Sequence, residues 1–515
     1  MMATTGTDET RLSERREAEV ATSAAATAWR PVAAVAAGTA IVLLLFINEY
    51  GYDADELYFR MLGARGPAWG YVDQPPALPM VVRAATLLLG DSLWAIRIPA
   101  VLCAAAVVVL GSMIAVELGA TRRAQLMTAL GLGSSVMVLS VGHWILTSSL
   151  DAVAWCLVML FVLRALLRRD GGRWWLWAGV VCGVALYAKY MVLLLPVSLL
   201  LGLALVGPRQ VFRDRRLYLG MALTLVIGAP NLIYQITHDF PQIQMAHALG
   251  ASDGSANRSL FVSNLLLLLG PGLAVFWIAG LIGLFRKREW RPVRAVGVGY
   301  LLATVAALMI EGGRPDYTGG FLIALFAAGA IRADRWIARG RRRLPVVAVG
   351  LVLTALAQLL LTLPLVPQKS LHRAAFNSMA LETVGWPTTV AQVAAVYDGL
   401  PPEEKARAVL LAGNFGEAGA LDRFGGKYRL PEVYSGHNEL HNWGPPPDSA
   451  DVVVAVGVDQ ARLTADFERC VAAAPLDNGL GVNNPEQGRQ ISVCRGPRAP
   501  WKTLWPAYRH LGAYE

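Results

Sequence analysis

Long apolar segments separated by short polar loops fill most of the chain up to residue 366. A helix needs about 20 mostly apolar residues to cross a bilayer. Segments of this kind occur at 31–48, 93–118, 124–142, 150–167, 174–190, 191–207, 217–235, 260–284, 295–311, 319–332 and 345–366. The pattern therefore predicts a polytopic α-helical membrane protein with about 11 transmembrane helices. The stretch 79–89 is too short to span, and we expect it to lie along the interface as an amphipathic helix.

The positive charges predict the orientation of these segments. Arginine and lysine concentrate in every second loop, at 122–123, 168–173, 209–216, 286–294 and 332–343. Loops rich in these residues stay in the cytoplasm. We therefore expect a cytoplasmic N-terminus, whereas the first outer loop (48–92) and everything after residue 367 lie on the opposite side of the cell membrane.

The composition agrees with a membrane protein and excludes a soluble one of this size. Of 515 residues, 55% are hydrophobic and 16% charged, with a net charge of +9. Because the arginines lie in loops, topology explains the positive charge and nucleic acid is not expected as a partner. Residues 1–30 are polar and predict a disordered cytoplasmic N-terminus. No small-residue cleavage site follows 31–47, so we expect that segment to be a retained first span.

The remaining third of the chain, 367–515, has a different pattern. A helical pattern at 389–399 alternates with short apolar runs at 409–411, 452–456 and 491–493, which predicts an extracytoplasmic α/β domain. Cys470 and Cys494 fall in this region, and an oxidising compartment makes a disulfide between them plausible. The intervening Gly-, Pro- and Asn-rich sequence is typical of turns. Its polar and aromatic residues could instead help bind a sugar or another polar acceptor: Tyr434, His437, Asn438, His441 and Trp443.

The first outer loop contains the densest group of carboxylates beside an apolar segment. Asp53, Asp55 and Glu56 lie within four residues, and Asp73 and Gln74 precede a double proline. One interpretation is that these are solvated loop charges. The other is that they line a cavity at the membrane surface, because carboxylates held near a dielectric boundary are costly and are often functional.

Further polar residues fall on the predicted outer side of the spans. They are His143, Asp151, Lys189, Tyr190, Asn231, His238, Asp239, Arg314, Asp316 and Tyr317. Each of them alone could be an interfacial anchor. Their convergence on one face favours a shared site, and Lys189 is the most informative because it opposes the charge bias.

This set of side chains suits one type of chemistry. A carboxylate can accept a proton from an attacking hydroxyl or hold a divalent cation, the one cofactor that we leave open. Lysine and arginine can stabilise a departing phosphate, and aromatic rings can contact a sugar or a polyprenyl chain. No Walker loop, dinucleotide fingerprint or HExxH motif occurs, so nucleotide hydrolysis and zinc proteolysis have no support.

The residues also resemble a known family. The similarity covers most of 31–366 and rests on Asp55–Glu56–Leu57–Tyr58, Gly70–Tyr71–Val72–Asp73–Gln74–Pro75–Pro76, Asp151, Lys189–Tyr190, Pro230–Asn231 with His238, and Arg314–Pro315–Asp316–Tyr317. The chain resembles the GT-C membrane glycosyltransferases, in the family 39-like group of protein O-mannosyltransferases and aminoarabinose transferases. The tail, with GNFGEAGALDRFG and VYSGHN, is similar to the extracytoplasmic domain of bacterial members.

The resemblance implies an inverting hexosyl- or pentosyltransferase. It would move a sugar from a polyprenyl-phosphate donor to a hydroxyl of a glycan, lipid or protein acceptor on the outer membrane face. Asp55 is then the expected catalytic base, with Glu56 beside it, and Lys189, Arg314 and Tyr317 are expected at the donor phosphate. The full set of expected substrate-binding residues is Asp53, Tyr58, Asp73, Gln74, Asp151, Lys189, Tyr190, His238, Arg314 and Tyr317. Aminoarabinose transferases tend to have lysine where this chain has Gln74, which removes one phosphate contact and argues against a lipid A acceptor.

Two functions from other classes remain as alternatives. A polyprenyl-linked sugar transporter or flippase would show broken helices in matched halves of the chain, and no such internal repeat is visible. A non-catalytic partner-binding protein would show a degraded acidic loop, whereas Asp55–Glu56 is intact.

Overall fold

The structure is a computed structural model that describes residues 27–373 and 378–514. Most of the predicted disordered N-terminus, up to residue 26, lies outside the described residues. The apolar part of the chain folds into sixteen helices among those described. In chain order they are α1 (Trp29–Leu45), α2 (Ala54–Ala64), α3 (Ala77–Leu89), α4 (Leu93–Glu117), α5 (Arg122–Gly133), α6 (Val136–His143), α7 (Thr147–Leu167), α8 (Arg173–Ala185), α9 (Leu194–Val206), α10 (Arg215–Thr237), α11 (Pro241–Ser259), α12 (Phe261–Leu269), α13 (Pro271–Arg286), α14 (Arg294–Met309), α15 (Gly319–Ile337) and α16 (Arg343–Thr362).

Each predicted span coincides with a helix or a pair of helices. Among the described residues, 5 helices are long and apolar enough to cross a membrane by themselves, and up to 7 if each bent pair counts as one span. The chain is a multi-pass membrane protein, and the number of about 11 spans stays a prediction because several apolar helices are shorter than a bilayer requires. The short stretch predicted to lie at the interface is helix α3.

Two of the spans are broken. Helices α5 and α6 meet at 54°, and α12 and α13 meet at 93°. The sharper bend lies at Gly270, whose φ of 95° is a left-handed conformation that L side chains rarely adopt. A Cβ at this position would also meet the side chain of Gln358 on α16.

The helices pack through close backbone contacts. Gly280 on α13 lies against the carbonyl of Leu325 on α15, and Gly329 on α15 lies against the carbonyl of Phe276 on α13. Small residues allow this approach, which is typical of helix pairs in membranes. Around this pair α15 is buried along most of its length. It therefore lies at the centre of the apolar core.

The C-terminal region forms a mixed sheet with helices, as the sequence predicts. Its strands are β1 (Ala408–Ala412), β2 (Val433–Ser435), β3 (Val452–Val456), β4 (Phe467–Pro475) and β5 (Gln490–Pro497), in the order β2-β1-β3-β5-β4. Strand β1 is parallel to β2 and β3, and β5 is antiparallel to β3 and β4. The helices of this region are α17 (Ser378–Leu381), α18 (Trp386–Asp398), α19 (Pro402–Lys405), α20 (Phe415–Phe424), α21 (Gln460–Asp466) and α22 (Trp501–Leu504).

The two cysteines of the C-terminal region are bonded to each other. Cys470 and Cys494 are direct partners in the β4–β5 ladder and form a disulfide. The other three cysteines, Cys103, Cys156 and Cys182, are free and lie on the apolar helices. The bond therefore joins the edge strand of the sheet to its neighbour.

The first outer loop shares a hydrophobic core with the C-terminal region. Leu57 and Tyr58 of α2 belong to the same buried cluster as Leu410 of β1 and Val454 of β3. Gly419 of α20 lies directly against Leu57, where a Cβ would clash. Helix α2 is consequently fixed between the membrane helices and the sheet. The division of the chain at residue 366 into two domains stays a prediction.

Candidate active site

Helix α2 begins with a reciprocal cap that orients its first carboxylates. The Asp53 side chain accepts a hydrogen bond from the Asp55 backbone N–H at 2.9 Å. The Asp53 N–H donates to Glu56 Oε2 at 3.0 Å, which completes a capping box. Because the carboxylates of Asp53 and Glu56 accept the hydrogen bonds of the cap, Asp55 is the remaining carboxylate of the first helical turn.

Glu56 forms a buried ion pair. The side chains of Glu56 and of Arg97, which lies on α4, are both 0% exposed. Arg97 Nε donates to Glu56 Oε1 and Arg97 Nη2 to Glu56 Oε2, each at 2.8 Å. The Ile145 N–H also donates to Oε1, at 3.1 Å. With the cap these contacts make four hydrogen bonds to one carboxylate. We infer that Glu56 holds α2 in place, rather than serving as the second catalytic group expected from the sequence.

Asp55 is in a different environment. Its side chain is half-buried, and within 27–373 and 378–514 no hydrogen bond to its carboxylate is found. Burial raises the pKa of Asp55 to about 6, while the charge of Arg314 opposes this rise and the charge of Glu56 adds to it. A partly accessible carboxylate with a pKa near neutrality is suited to accept a proton.

Arg314, whose charge acts on Asp55, belongs to a group of charged residues around Asp316. Arg314 Nε and Nη2 donate to Asp316 at 3.0 and 3.1 Å. Lys189 Nζ is 3.7 Å from Asp316 and 5.3 Å from the centre of the Tyr317 ring. Burial disfavours the charge of Asp316, but Arg314 and Lys189 outweigh burial and lower its pKa to about 2. Asp316 therefore stays ionised and holds the two cations together.

Residues at the N-terminal end of α7 complete this group. Ser148 accepts a hydrogen bond from Lys189 Nζ at 3.1 Å. Asp151, which is 3% exposed, lies within electrostatic range of Lys189 and Asp316. Tyr190 follows Lys189 at the start of the 3₁₀-helix Tyr190–Leu193. The structure thus brings the predicted residues Asp151, Lys189, Arg314 and Tyr317 together with Asp55.

Asp73 connects the first outer loop to the C-terminal region. Its carboxylate accepts a hydrogen bond from the Tyr58 hydroxyl at 3.0 Å. That hydroxyl accepts one from the Glu439 N–H at 3.1 Å, and the Glu439 carboxylate accepts one from the Val72 N–H at 3.0 Å. Burial raises the pKa of Asp73 to about 7, against the hydrogen bond from Tyr58. Gln74 is buried beside it, and its amide Nε2 has no hydrogen-bond partner in the described structure.

Other predicted residues lie at the edge of this site. His238 is exposed at the end of α10 and stacks on Tyr234 at 4.1 Å between ring centres. The Asn231 side chain donates a hydrogen bond to the Trp69 carbonyl at 3.2 Å, which connects the first outer loop to α10. His143 is buried against Trp144. Among the described residues no three His, Cys, Asp or Glu side chains converge as a set of metal ligands.

The sequence alone did not single out three residues of this arrangement. Arg97 is an isolated arginine in an apolar segment, which is a signal for a buried partner. Ser148 has no comparable signal. Glu439 lies 367 residues from Val72 in the chain, so only the fold reveals that it reaches the first outer loop.

The chain is similar to known proteins in sequence and in fold. Residues 73–234 match a family model described as dolichyl-phosphate-mannose-protein mannosyltransferase. The apo structure of ArnT from Cupriavidus metallidurans superposes with a TM-score of 0.60 at 17% identity, over 91% of this chain and 98% of that chain. The chain has the GT-C fold. The resemblance predicted from the sequence is therefore confirmed for the fold.

Two further structures have this GT-C fold. ArnT from the same organism bound to undecaprenyl phosphate gives a TM-score of 0.57 at 19% identity, with coverages of 91% and 98%. The Archaeoglobus fulgidus oligosaccharyltransferase tethered to an acceptor peptide gives 0.50 at 12% identity, over 84% of this chain and 69% of that chain. A search of curated protein sequences found no match.

Proposed function

We propose that the protein is an inverting membrane glycosyltransferase that moves a sugar from a polyprenyl-phosphate donor to an acceptor hydroxyl. The observation that carries this proposal is the Asp55 carboxylate, which has no hydrogen-bond partner within 27–373 and 378–514 and interacts electrostatically with Arg314. Asp316 joins Arg314 to a second cation, Lys189. One group accepts a proton and the others receive a phosphate, as group transfer from a phosphate ester requires. The GT-C fold and the undecaprenyl phosphate bound by ArnT support the donor class.

The geometry supports a single displacement. Asp55 takes the proton of the acceptor hydroxyl, and the acceptor oxygen forms a bond to the anomeric carbon of the sugar. The bond from that carbon to the phosphate oxygen breaks, and polyprenyl phosphate leaves with the electron pair. Arg314 and Lys189 stabilise the added negative charge, and Asp316 keeps both of them in place. Attack opposite the leaving group inverts the configuration of the sugar.

The other residues have supporting roles in this proposal. Asp53 and Glu56 fix the first turn of α2, and Tyr58 and Asp73 order the acceptor side of the loop. Gln74, Asp151, Tyr190 and Tyr317 line the path of the donor, and His238 lies at its outer edge. We place the site on the outer face of the cell membrane, because the arginine-rich loops lie at the opposite ends of the helices.

A transfer assay tests the proposal. Sealed membrane vesicles containing the protein receive polyprenyl phosphates linked to a panel of radiolabelled hexoses and pentoses. We expect label to move from the lipid extract into a glycan, protein or second lipid fraction, and vesicles without the protein serve as the control. Label that only changes sides of the membrane would identify a flippase instead.

The pH dependence of transfer follows from Asp55. Because its pKa is about 6, kcat/KM should fall as the pH drops through 6, where the base becomes protonated, and level off above it. Replacing Arg314 by Gln removes a charge that lowers this pKa, so the acidic limb should move to higher pH. Initial rates of wild type and Arg314→Gln across this range test both effects. Arg341→Gln, an exposed arginine between α15 and α16, should leave the limb in place.

Glu439, in the C-terminal region, positions the part of the first outer loop around Val72 and Asp73, which we call the acceptor loop. Glu439→Ala leaves the Val72 N–H without its acceptor, at a cost of about 1–3 kcal/mol, and should lower transfer about tenfold. Glu439→Gln keeps an acceptor oxygen and should restore most of the rate. The negative charge of Glu439 also raises the pKa of Asp73. Glu439→Gln removes this charge but keeps the contact with Val72, so the ionisation of Asp73 should move to lower pH while most of the rate is retained. Equal rates for both variants and for the surface control Glu403→Ala would contradict this role.

A further inference from the structure

A cavity of about 330 Å³ lies between the C-terminal end of α2 and the sheet region. One wall consists of Met61, Ala64 and Arg65, and the other includes Asp422 of α20, Glu432 beside β2 and Trp443. None of its lining residues belongs to the long apolar helices. Its volume falls within the range of about 300–1,000 Å³ that is common for small-molecule sites.

The walls carry the groups that recognise a sugar. Trp443 is half-buried, and its ring is covered by the Arg65 guanidinium, 3.9 Å from the ring centre. Arg65 is exposed, so a ligand that displaces its guanidinium reaches the ring. An indole face then offers an apolar surface to the C–H groups of a sugar, while carboxylates accept hydrogen bonds from vicinal hydroxyls. Asp422 and Glu432 supply such carboxylates.

The charges in the cavity favour a neutral ligand. Asp422 is paired with Arg60 at 2.6 Å, and Glu432 accepts a hydrogen bond from Tyr434 at 2.8 Å. With Arg65 opposite, neither sign dominates. A strongly anionic or cationic ligand would therefore gain little here, whereas hydroxyl groups can bond to both kinds of side chain.

The cavity and Asp55 lie at opposite ends of α2. Arg65 and Asp55 lie ten residues apart on α2 (Ala54–Ala64 with its C-cap), which corresponds to about 15 Å along the helix axis. Trp443 ends the 3₁₀-helix Asn438–Trp443, whose Glu439 holds Val72 in the acceptor loop. Because of this separation, only a ligand longer than one sugar can reach from the cavity to the reacting carboxylate.

We propose that this cavity is an acceptor subsite for a neutral saccharide chain, which binds on Trp443 and presents a hydroxyl to Asp55. This inference rests on the proposed transferase function and names its acceptor class. A lipid A-type acceptor with phosphate groups would find no excess of positive charge among the lining residues, where Arg65 faces Asp422 and Glu432.

The test uses the full-length protein in nanodiscs with a labelled donor and a carbohydrate extract of the cell envelope as acceptor. Trp443→Ala should raise the acceptor concentration for half-maximal transfer about tenfold, the loss expected for one stacked ring. The donor KM and the rate at saturating acceptor should stay unchanged. Trp443→Phe keeps an aromatic face and should recover most of the affinity. Tyr397→Ala is the matched control, because Tyr397 is also half-buried against the same apolar cluster but lies outside the cavity.

The outcomes are distinct. Unchanged half-saturation in Trp443→Ala, or an equal fall in donor and acceptor kinetics, would overturn the subsite. Label that enters only protein or lipid would overturn the saccharide class while leaving the transferase intact. Absence of transfer by the wild type with every donor would instead reject the proposed function, and with it this subsite.

Discussion

Replacing Asp55 by asparagine is expected to lower sugar transfer by about a hundred- to ten-thousand-fold, the range contributed by a general base. Asparagine has nearly the same shape but cannot accept the proton of the acceptor hydroxyl. The fold should not suffer, since the Asp55 carboxylate has no hydrogen-bond partner among the described residues. Burial raises the pKa of Asp55 to about 6, so its charge at neutral pH opposes folding and its removal should keep or increase thermal stability.

Two measurements on the same preparation test this expectation. Transfer is assayed with the donor that the wild type uses, and unfolding is followed by heating in detergent. Asp398→Asn is the matched control, because Asp398 is an exposed carboxylate of the C-terminal region that pairs with Lys405. Wild-type rates in Asp55→Asn would remove Asp55 as the base. Lost activity together with lost stability would indicate a structural role.

The membrane fold could be predicted because hydrophobicity is a local property. Every predicted span coincides with a helix or a bent pair of helices. The bends could not be predicted in the same way. The 93° turn lies at Gly270, which packs closely against Gln358 of α16, a residue far away in the chain. Length alone therefore predicts that a segment can span, and packing decides whether it does so in one piece.

The first turn of α2 shows how neighbouring carboxylates acquire different roles. Asp55 and Glu56 are adjacent in the sequence and look equivalent there. The spacing Asp53-x-x-Glu56 is, however, the pattern of a capping box, which turns the Glu56 side chain back toward the helix start. This signal was present in the sequence. Arg97, the partner of Glu56, is visible in the sequence only as an isolated charge in an apolar segment.

The acceptor side of the site depended on the tertiary structure. Tyr58, Asp73 and Glu439 form one hydrogen-bonded chain, although Glu439 is separated from Tyr58 by 381 residues. Periodicity and motif spacing describe neighbours along the chain and carry no information about such a pair. The C-terminal region could thus be predicted as an α/β unit, but its contact with the first outer loop could not.

The second large effect is expected on stability, from the pair of Glu56 and Arg97. Glu56→Gln leaves the Arg97 guanidinium buried without a counter-charge, and we expect a loss of about 3–5 kcal/mol in the free energy of unfolding. The double variant Glu56→Gln with Arg97→Met removes both charges and should recover part of this loss, because a buried pair replaced as a unit is often neutral. The recovery is incomplete because the Ile47 and Gly51 carbonyls lose the hydrogen bonds that Arg97 donates. Thermal unfolding of the singles and the double measures the coupling.

Transfer by the double variant then decides the role of Glu56. If Glu56 only fixes helix α2, the folded double variant should have most of the wild-type transfer rate. A double variant that is folded but inactive would instead indicate that Glu56 takes part in the chemistry. The matched control is Glu404→Gln, which breaks a bidentate pair of the same geometry between Arg495 and Glu404 at 2.9 and 2.7 Å. Because that pair is partly exposed, its loss should cost no more than about 1 kcal/mol. A similar cost at both pairs would mean that burial does not set the strength of the Glu56–Arg97 contact.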